Sequence, residues 1–197
     1  VRLEELRDEA KECRKCSLWK GRTQVVFGVG NNQADLMFVG EAPGYYEDVQ
    51  GEPFVGPAGQ LLTKMLAAIG LKRADVYITN VLKCRPPNNR DPLPVEVEVC
   101  VPFYLNQQIE IIKPKIVSTL GNYATRVMLK KNVSISKVRG QQFKGDGYFI
   151  FPIYHPAAIL RNANLLPTLE TDFQELKKLL EEGVEPPPSE ASQMSLF

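Results

Sequence analysis

Four short apolar runs punctuate the chain, at Asp35–Val39, Val76–Asn80, Lys115–Leu120 and Tyr148–Tyr154, and each reads as a buried strand. Between them the period changes to that of helices. Leu61, Leu62, Met65, Leu66 and Ile69 recur at helical spacing after Pro57, with Gly70 placed as a C-cap. Pro94 to Ile112 carries a second helical pattern, with Pro102 as a kink or break, and Asn122 to Lys131 carries a third. A last helix runs from about Pro167 to Glu182 and stops at Gly183. Strand alternating with helix predicts βαβ units and right-handed crossovers. The expected fold is α/β, three layers deep (α/β/α), around a central four-stranded parallel sheet. Strand ends then become decisive. Gly40-Glu41, Asn80, Gly121 and His155 each follow a strand directly, and in a parallel sheet such positions share the edge where α/β folds hold ligands.

A chain of 197 residues is long enough for one well-buried core. Hydrophobic content of 44% and charged content of 24% are those of an ordinary globular domain. No apolar run approaches the roughly 20 residues that cross a bilayer. Val1 to Lys11 is a charged amphipathic helix pattern, not a secretory signal. A cytoplasmic, nucleoid-associated location without a membrane partner is the default expectation. The net charge of +1 hides an uneven distribution. From Ile111 to Gly145 stand Lys113, Lys115, Arg126, Lys130, Lys131, Lys137, Arg139 and Lys144, with no Asp or Glu among them. This segment suits phosphate contacts, and suits a merely solvated basic surface equally. Residues 1–182 form the expected domain. Residues 183–197, with Glu-Pro-Pro-Pro-Ser-Glu-Ala-Ser-Gln, read as a flexible tail ending in the apolar Gln193-Met194-Ser195-Leu196-Phe197.

The loop over residues 40–59 holds the densest chemistry. Glycines and prolines fix its path, Glu41 stands just past the first strand, and Phe54 sits mid-loop. A carboxylate and a ring on one such loop suggest a pocket for something flat and polar. The only histidine, His155, ends another apolar run in Tyr-His-Pro-Ala-Ala. Taken singly, each also has a structural reading: Glu41 as a turn cap, Phe54 as loop packing, Asn80 as a turn former and His155 as a structural histidine. Their joint placement on one sheet edge favours a site.

The four cysteines are Cys13 and Cys16, a C-x-x-C pair after the first helix, then Cys84 after the second strand, and Cys100. In an intracellular chain they argue for a metal site ahead of disulfides. Thiolate-only ligation suits zinc or an iron–sulfur cluster. The wide spacing of the second pair tips the balance toward a cluster. Either would staple the N-terminal helix to the basic, proline-stiffened loop Lys83–Arg90, and with it Arg85 on a DNA-facing surface.

These pieces together resemble the uracil-DNA glycosylase superfamily, and within it the thermostable iron–sulfur family 4. The carrying residues are Gly40-Glu41-Ala42-Pro43-Gly44 with Glu47-Asp48, Pro53-Phe54-Val55-Gly56-Pro57-Ala58-Gly59, Thr79-Asn80-Val81-Leu82-Lys83-Cys84-Arg85-Pro86-Pro87 and His155-Pro156-Ala157-Ala158. The match spans about residues 1–182 and all four cysteines. Family 5 enzymes also hold a cluster but typically lack the acidic residue at the position of Glu41, so the loop is closer to family 4.

The resemblance implies hydrolysis of the N-glycosidic bond of uracil in single- or double-stranded DNA, leaving an abasic site. It implies a base flipped into the pocket, with Phe54 stacked on it and the Asn80 amide paired to its edge. Backbone groups of Gly40, Glu41 and Ala42 complete the contacts. His155 steadies charge on the leaving base, Glu41 positions water, and Glu47 blocks the thymine methyl. Ile159, Leu160 and Arg161 fall on a DNA-facing loop, with helix-core packing as the other reading of Ile159 and Leu160. The cofactor implied is a 4Fe-4S cluster on Cys13, Cys16, Cys84 and Cys100, in a monomer. The tail end Gln193–Phe197 resembles a shortened sliding-clamp-binding motif. Two rivals stand beside this reading: a non-catalytic nucleic-acid-binding module with a structural four-cysteine zinc, and a glycosylase for another deaminated base.

Overall fold

The computed structural model describes residues 2–188. The first half contains α1 (Leu3–Lys11), β1 (Val29–Gly30), β2 (Leu36–Gly40), α2 (Tyr45–Gln50), α3 (Pro57–Ala68), β3 (Tyr77–Asn80) and α4 (Pro94–Cys100). The second half contains α5 (Asn106–Ile112), β4 (Ile116–Leu120), α6 (Gly121–Leu129), α7 (Ile135–Val138), β5 (Phe143–Lys144), β6 (Phe149–Ile153), α8 (Pro156–Arg161) and α9 (Leu166–Glu182). The four apolar runs become four parallel strands in the order β3-β2-β4-β6. The sheet itself has six strands, not four, because each edge is extended by a two-residue antiparallel strand, β1 on β3 and β5 on β6. Two residues carry no period, which is why neither edge is visible as a run.

Successive residues of β2 alternate between two cores, as the two-residue period of a strand requires. Leu36 and Phe38 join Leu62, Leu66, Phe151, Phe173 and Leu176, so α3 and α9 cover one face. Met37 and Val39 join Leu6, Tyr77, Leu105 and Val117, so α1 and the segment around α5 cover the other. Three layers result, as expected. Phe38 stacks on Phe173 at 5.9 Å between centroids, tying the central strand to α9.

Helix ends follow the sequence closely. Gly70 takes a φ of +79°, and the bonds from its N–H to the Ala67 carbonyl and from Leu71 to Leu66 close α3 in a Schellman cap. Pro102 widens the helix it interrupts. Lacking an N–H, it cannot continue the four-residue ladder, and Val101–Leu105 form a π-turn that closes with the Asn106 N–H on the Val101 carbonyl. Cys100 ends α4 immediately before this turn.

The basic stretch from 111 to 145 is not uniformly free. Lys115 pairs with Asp35 at 3.2 Å, and the Arg126 guanidinium donates to the Val133 carbonyl at 2.9 Å. Arg139 forks onto the buried carboxylate of Asp172, its Nε 2.7 Å from Oδ2 and its Nη2 on Oδ1. Residues 184–188 carry no helix or strand, and the apolar end Gln193–Phe197 lies outside the described residues.

Candidate active site and cysteine centre

Gly40 and Asn80 stand opposite each other at the ends of the parallel strands β2 and β3. A β-carbon on Gly40 would lie 2.4 Å from Asn80 Oδ1 and 2.6 Å from Phe54 Cζ, so only glycine lets the amide and the ring approach this closely. Phe54 reaches that place by adopting φ +55°, a left-handed conformation unusual for an aromatic residue. Strain of this kind persists only where the surroundings over-determine it. Gly59 presses on the Phe54 carbonyl, which a β-carbon there would meet at 1.7 Å. Arg73 clamps the loop from outside, donating to the Pro53 carbonyl at 2.7 Å and the Phe54 carbonyl at 3.0 Å.

His155 caps α8. Its Nδ1 accepts from the Ala157 N–H at 3.0 Å, so in the neutral ring the proton sits on Nε2, which becomes a donor. Burial, with a smaller contribution from the Arg161 cation, pushes the imidazole down to about 4. The ring is therefore neutral at physiological pH. It faces Phe54 with 5.6 Å between centroids, and Gly121 (φ +87°) lies so close that a β-carbon would touch His155 Cβ at 3.0 Å.

Glu41 follows β2 half-buried, and burial, reinforced by Asp91, raises its carboxyl above the usual carboxylate range. The carbonyl of Glu41 accepts from Leu82, which pins the turn to the segment beyond Asn80. Glu47 lies between the two arms of its loop. A β-carbon on Gly44 would sit 3.1 Å from its Oε2 and one on Gly56 3.7 Å from its Oε1.

Phe54, Asn80 and His155 thus converge as the strand-end argument expects, with Gly40 between the ring and the amide. Ile159 departs from expectation. It lies on α8, not on a loop, and is buried in the core with Leu62 and Phe173, because the helix turns that side chain onto the sheet. Leu160 and Arg161 on the same helix are exposed. Arg85 is half-buried and engaged within the protein, with Nε donating to Asn89 Oδ1 at 2.7 Å and the guanidinium over the Tyr45 ring at 5.3 Å.

Two supporting residues were not singled out in the sequence. Lys83 is fully buried, its Nζ donating to Thr79 Oγ1 at 2.6 Å and to the Asn80 carbonyl at 2.7 Å, which holds the backbone of Asn80 from beneath. Asp48 is buried too, its Oδ1 accepting from the Thr23 N–H at 2.8 Å and so tying α2 to the N-terminal segment. Asp48 stands inside the recognised loop motif. Lys83 likewise stands inside the recognised motif Thr79–Pro87, where nothing local distinguishes a buried lysine from a basic surface residue.

Cys13, Cys16, Cys84 and Cys100 line one cavity together with Ala10, Leu18, Val25 and Leu82. None is in a disulfide, and Cys84 and Cys100 are buried. Among the described residues no three His, Cys, Asp or Glu side chains are gathered closely enough for a single metal ion. A thiol-only set spread around one cavity fits a larger sulfur-ligated group. Burial raises the Cys16, Cys84 and Cys100 thiols, Cys100 to about 12, so a bound metal must displace their protons.

Residues 27–182 match the family model of the uracil DNA glycosylase superfamily. The chain is 50% identical over 186 residues to the type-4 uracil-DNA glycosylase of Sulfurisphaera tokodaii, an alignment covering 90% of this chain and 84% of that one. It is 49% identical to the type-4 protein of Archaeoglobus fulgidus, covering 90% and 92%. A type-5 uracil-DNA glycosylase of Pyrobaculum aerophilum is 31% identical, covering 90% and 84%. Sheet topology, strand-end motifs and these likenesses agree, and the chain belongs to the uracil-DNA glycosylase superfamily, on its type-4 side.

Proposed function

We propose that this protein is a DNA repair glycosylase that takes uracil out of the DNA stack and hydrolyses its N-glycosidic bond, releasing uracil and leaving an abasic site. The observation that carries the reading is the convergence of the Phe54 ring, the Asn80 amide and the Nε2 side of a neutral His155 at the ends of parallel strands. A base inside a duplex is out of reach of such a pocket, so it must be flipped. Phe54 stacks on the base. Asn80 Oδ1 accepts from uracil N3–H and its Nδ2 donates to O4, while cytosine presents the opposite pattern at both atoms and leaves both pairs unmatched. Backbone groups of Gly40, Glu41 and Ala42 contact the remaining edge.

As the glycosidic bond breaks, negative charge grows on uracil O2. His155 donates from Nε2 to that oxygen as a fixed, partly desolvated dipole, the role of an oxyanion hole. The neutral ring suits this task, since with Nδ1 accepting from Ala157 it still carries a proton on Nε2 to donate. Glu41 holds the attacking water beside the sugar cation. Glu47, fixed between Gly44 and Gly56, excludes the C5 methyl of thymine. Leu160 and Arg161, exposed beside His155, face the DNA, and Arg85 lends charge to the same side.

Cys13, Cys16, Cys84 and Cys100 hold a 4Fe-4S cluster in this reading, and its contribution is to cross-link α1, the loop after β3 and α4. The acting unit is a monomer, and Gln193–Phe197 is a tether to a sliding clamp. Among the described residues no helix is long and apolar enough to cross a membrane.

The test is DNA carrying one labelled uracil, beside thymine, cytosine and hypoxanthine controls, followed by alkaline cleavage at abasic sites. Scission at uracil alone supports the pocket as described. Scission at cytosine with equal efficiency removes the role of Asn80, scission at thymine removes that of Glu47, and no scission by metal-loaded protein removes the glycosylase reading.

A further inference from the structure

The cysteine cavity is furnished with donors as well as ligands. Arg22 sends its guanidinium into it, Nη1 donating to Cys84 Sγ at 3.3 Å and to the Cys13 carbonyl at 2.8 Å, Nη2 to the Lys11 carbonyl at 2.8 Å. Three bonds fix the cation beside one sulfur. The Lys83 N–H donates to Cys100 Sγ at 3.4 Å. Cys13 is another of the four sulfurs, and Tyr104, in the π-turn after Cys100, lines the same cavity. Tyr104 is 2% exposed, and its hydroxyl is enclosed without a hydrogen-bond partner among the described residues. A buried hydroxyl left in that state costs stability unless a bound group supplies an acceptor. Both Tyr104 and Arg22 line the cavity of the four cysteines.

We propose that Arg22 and Tyr104 are positioning residues for the sulfur-ligated group, Arg22 donating to the Cys84 thiolate and the unpartnered Tyr104 hydroxyl to the Cys13 thiolate. The proposal rests on the iron–sulfur reading given above. A thiolate that accepts a hydrogen bond is a poorer electron donor to iron, which stabilises the reduced form and raises the reduction potential. The Arg22 cation acts in the same direction. Neither residue belongs to the pocket of Phe54, Asn80 and His155, so base excision is not the readout.

The test uses the full chain purified anaerobically with its metal. Iron content is measured first, then the midpoint potential by a spectroscopically followed titration, then the rate of iron release to a chelator. Tyr104→Phe removes a single oxygen; its iron content should match the parent, with a more negative midpoint and iron release faster by roughly tenfold. Arg22→Gln should shift the midpoint further, since it removes a charge as well as a donor. Arg22→Lys keeps the charge but loses the planar fork, and should fall between. A parent protein without iron overturns the cluster reading itself. An iron-loaded parent whose Tyr104→Phe and Arg22→Lys variants keep the parental midpoint and release rate overturns this proposal alone. Should Arg22→Gln fail to accumulate, those two variants carry the decision.

Discussion

Phe54 and His155 stand ring to ring, 5.6 Å between centroids and 32° apart in plane, though a hundred residues separate them in the chain. Each is seated by a glycine, Gly59 behind the Phe54 backbone and Gly121 against His155 Cβ. The pair forms one wall of the pocket, and the Asn80 amide meets the Phe54 ring across Gly40.

Asn80→Asp replaces a group that both donates and accepts with one that only accepts when ionised. Uracil excision should fall by about a hundredfold or more, since the lost pairing is made in a site with few alternatives. Cytosine in the same sequence context should gain relative to uracil. Steady-state excision on matched oligonucleotides checks this, and an unchanged uracil-to-cytosine ratio would remove the discriminating role of Asn80.

Arg73 holds Phe54 without touching the base. Arg73→Ala frees the Pro53 and Phe54 carbonyls, whose charge-assisted bonds are worth about 1.5–3 kcal/mol each at most. Phe54 should then leave its left-handed conformation. The expected signature is weaker binding of free uracil together with a lowered melting temperature, since the freed carbonyls cost stability while both cores stay intact. Product inhibition and a melting curve read the two effects separately.

His155 and Glu41 set opposite pH behaviour. The imidazole is pushed down to about 4 from an ordinary 6.5, so the unfolded chain takes up that proton first as pH falls. Stability contributed by the neutral ring is whole above 6.5 and declines as pH drops toward about 4, and His155→Gln should flatten that slope. For Glu41 the shift is upward, so the folded state holds its proton longer than the unfolded chain. Carrying the ionised form costs stability at neutral pH, and Glu41→Gln should raise the melting temperature there but not in acid below the ordinary carboxylate range. The same variant should lower the excision rate and lose the acidic limb of the rate profile. Unchanged rate with unchanged profile would take Glu41 out of the reaction.

Asp172 is 1% exposed, and among the described residues its carboxylate pairs with Arg139. Asp172→Ala leaves the Arg139 cation partly buried without its carboxylate, and should destabilise by about 3 kcal/mol. Denaturant unfolding checks the figure. The loss should be largely absent when Arg139→Met is combined with Asp172→Leu, since two apolar residues carry no unpaired charge.

Loss of the proposed cluster should loosen one side of the molecule only. Cys13, Cys16, Cys84 and Cys100 bring the end of α1, the loop after β3 and α4 to one cavity, whereas the other face of the sheet is closed by α3, α8 and α9. Hydrogen exchange after chelation should quicken over residues 3–22 and 84–100 and stay slow in β2, β4 and β6. Uniform acceleration across the sheet would mean that the cysteine centre holds the whole fold.

Much of this molecule was written locally. The four parallel strands are runs of apolar side chains long enough to be buried on both faces, and their ends carry Gly40, Asn80 and His155, so the pocket followed from chain order and the rules of parallel sheets. Glycine and proline placement likewise marked where helices stop. What the sequence left open depends on partners far away in the chain. Ile159 faces inward because α8 packs on α3 and α9, a fact of contact and not of residue type. Lys83 is buried, and Arg73 and Arg22 become clamps, only because carbonyls and a thiol lie where their long side chains end. The edge strands β1 and β5 exist because a neighbouring strand offers unpaired groups to two residues that would otherwise be loop. Local pattern records which residues seek burial or a turn. Tertiary packing alone decides which polar atoms meet, because a hydrogen bond needs its partner within about 3 Å and the chain encodes no distances.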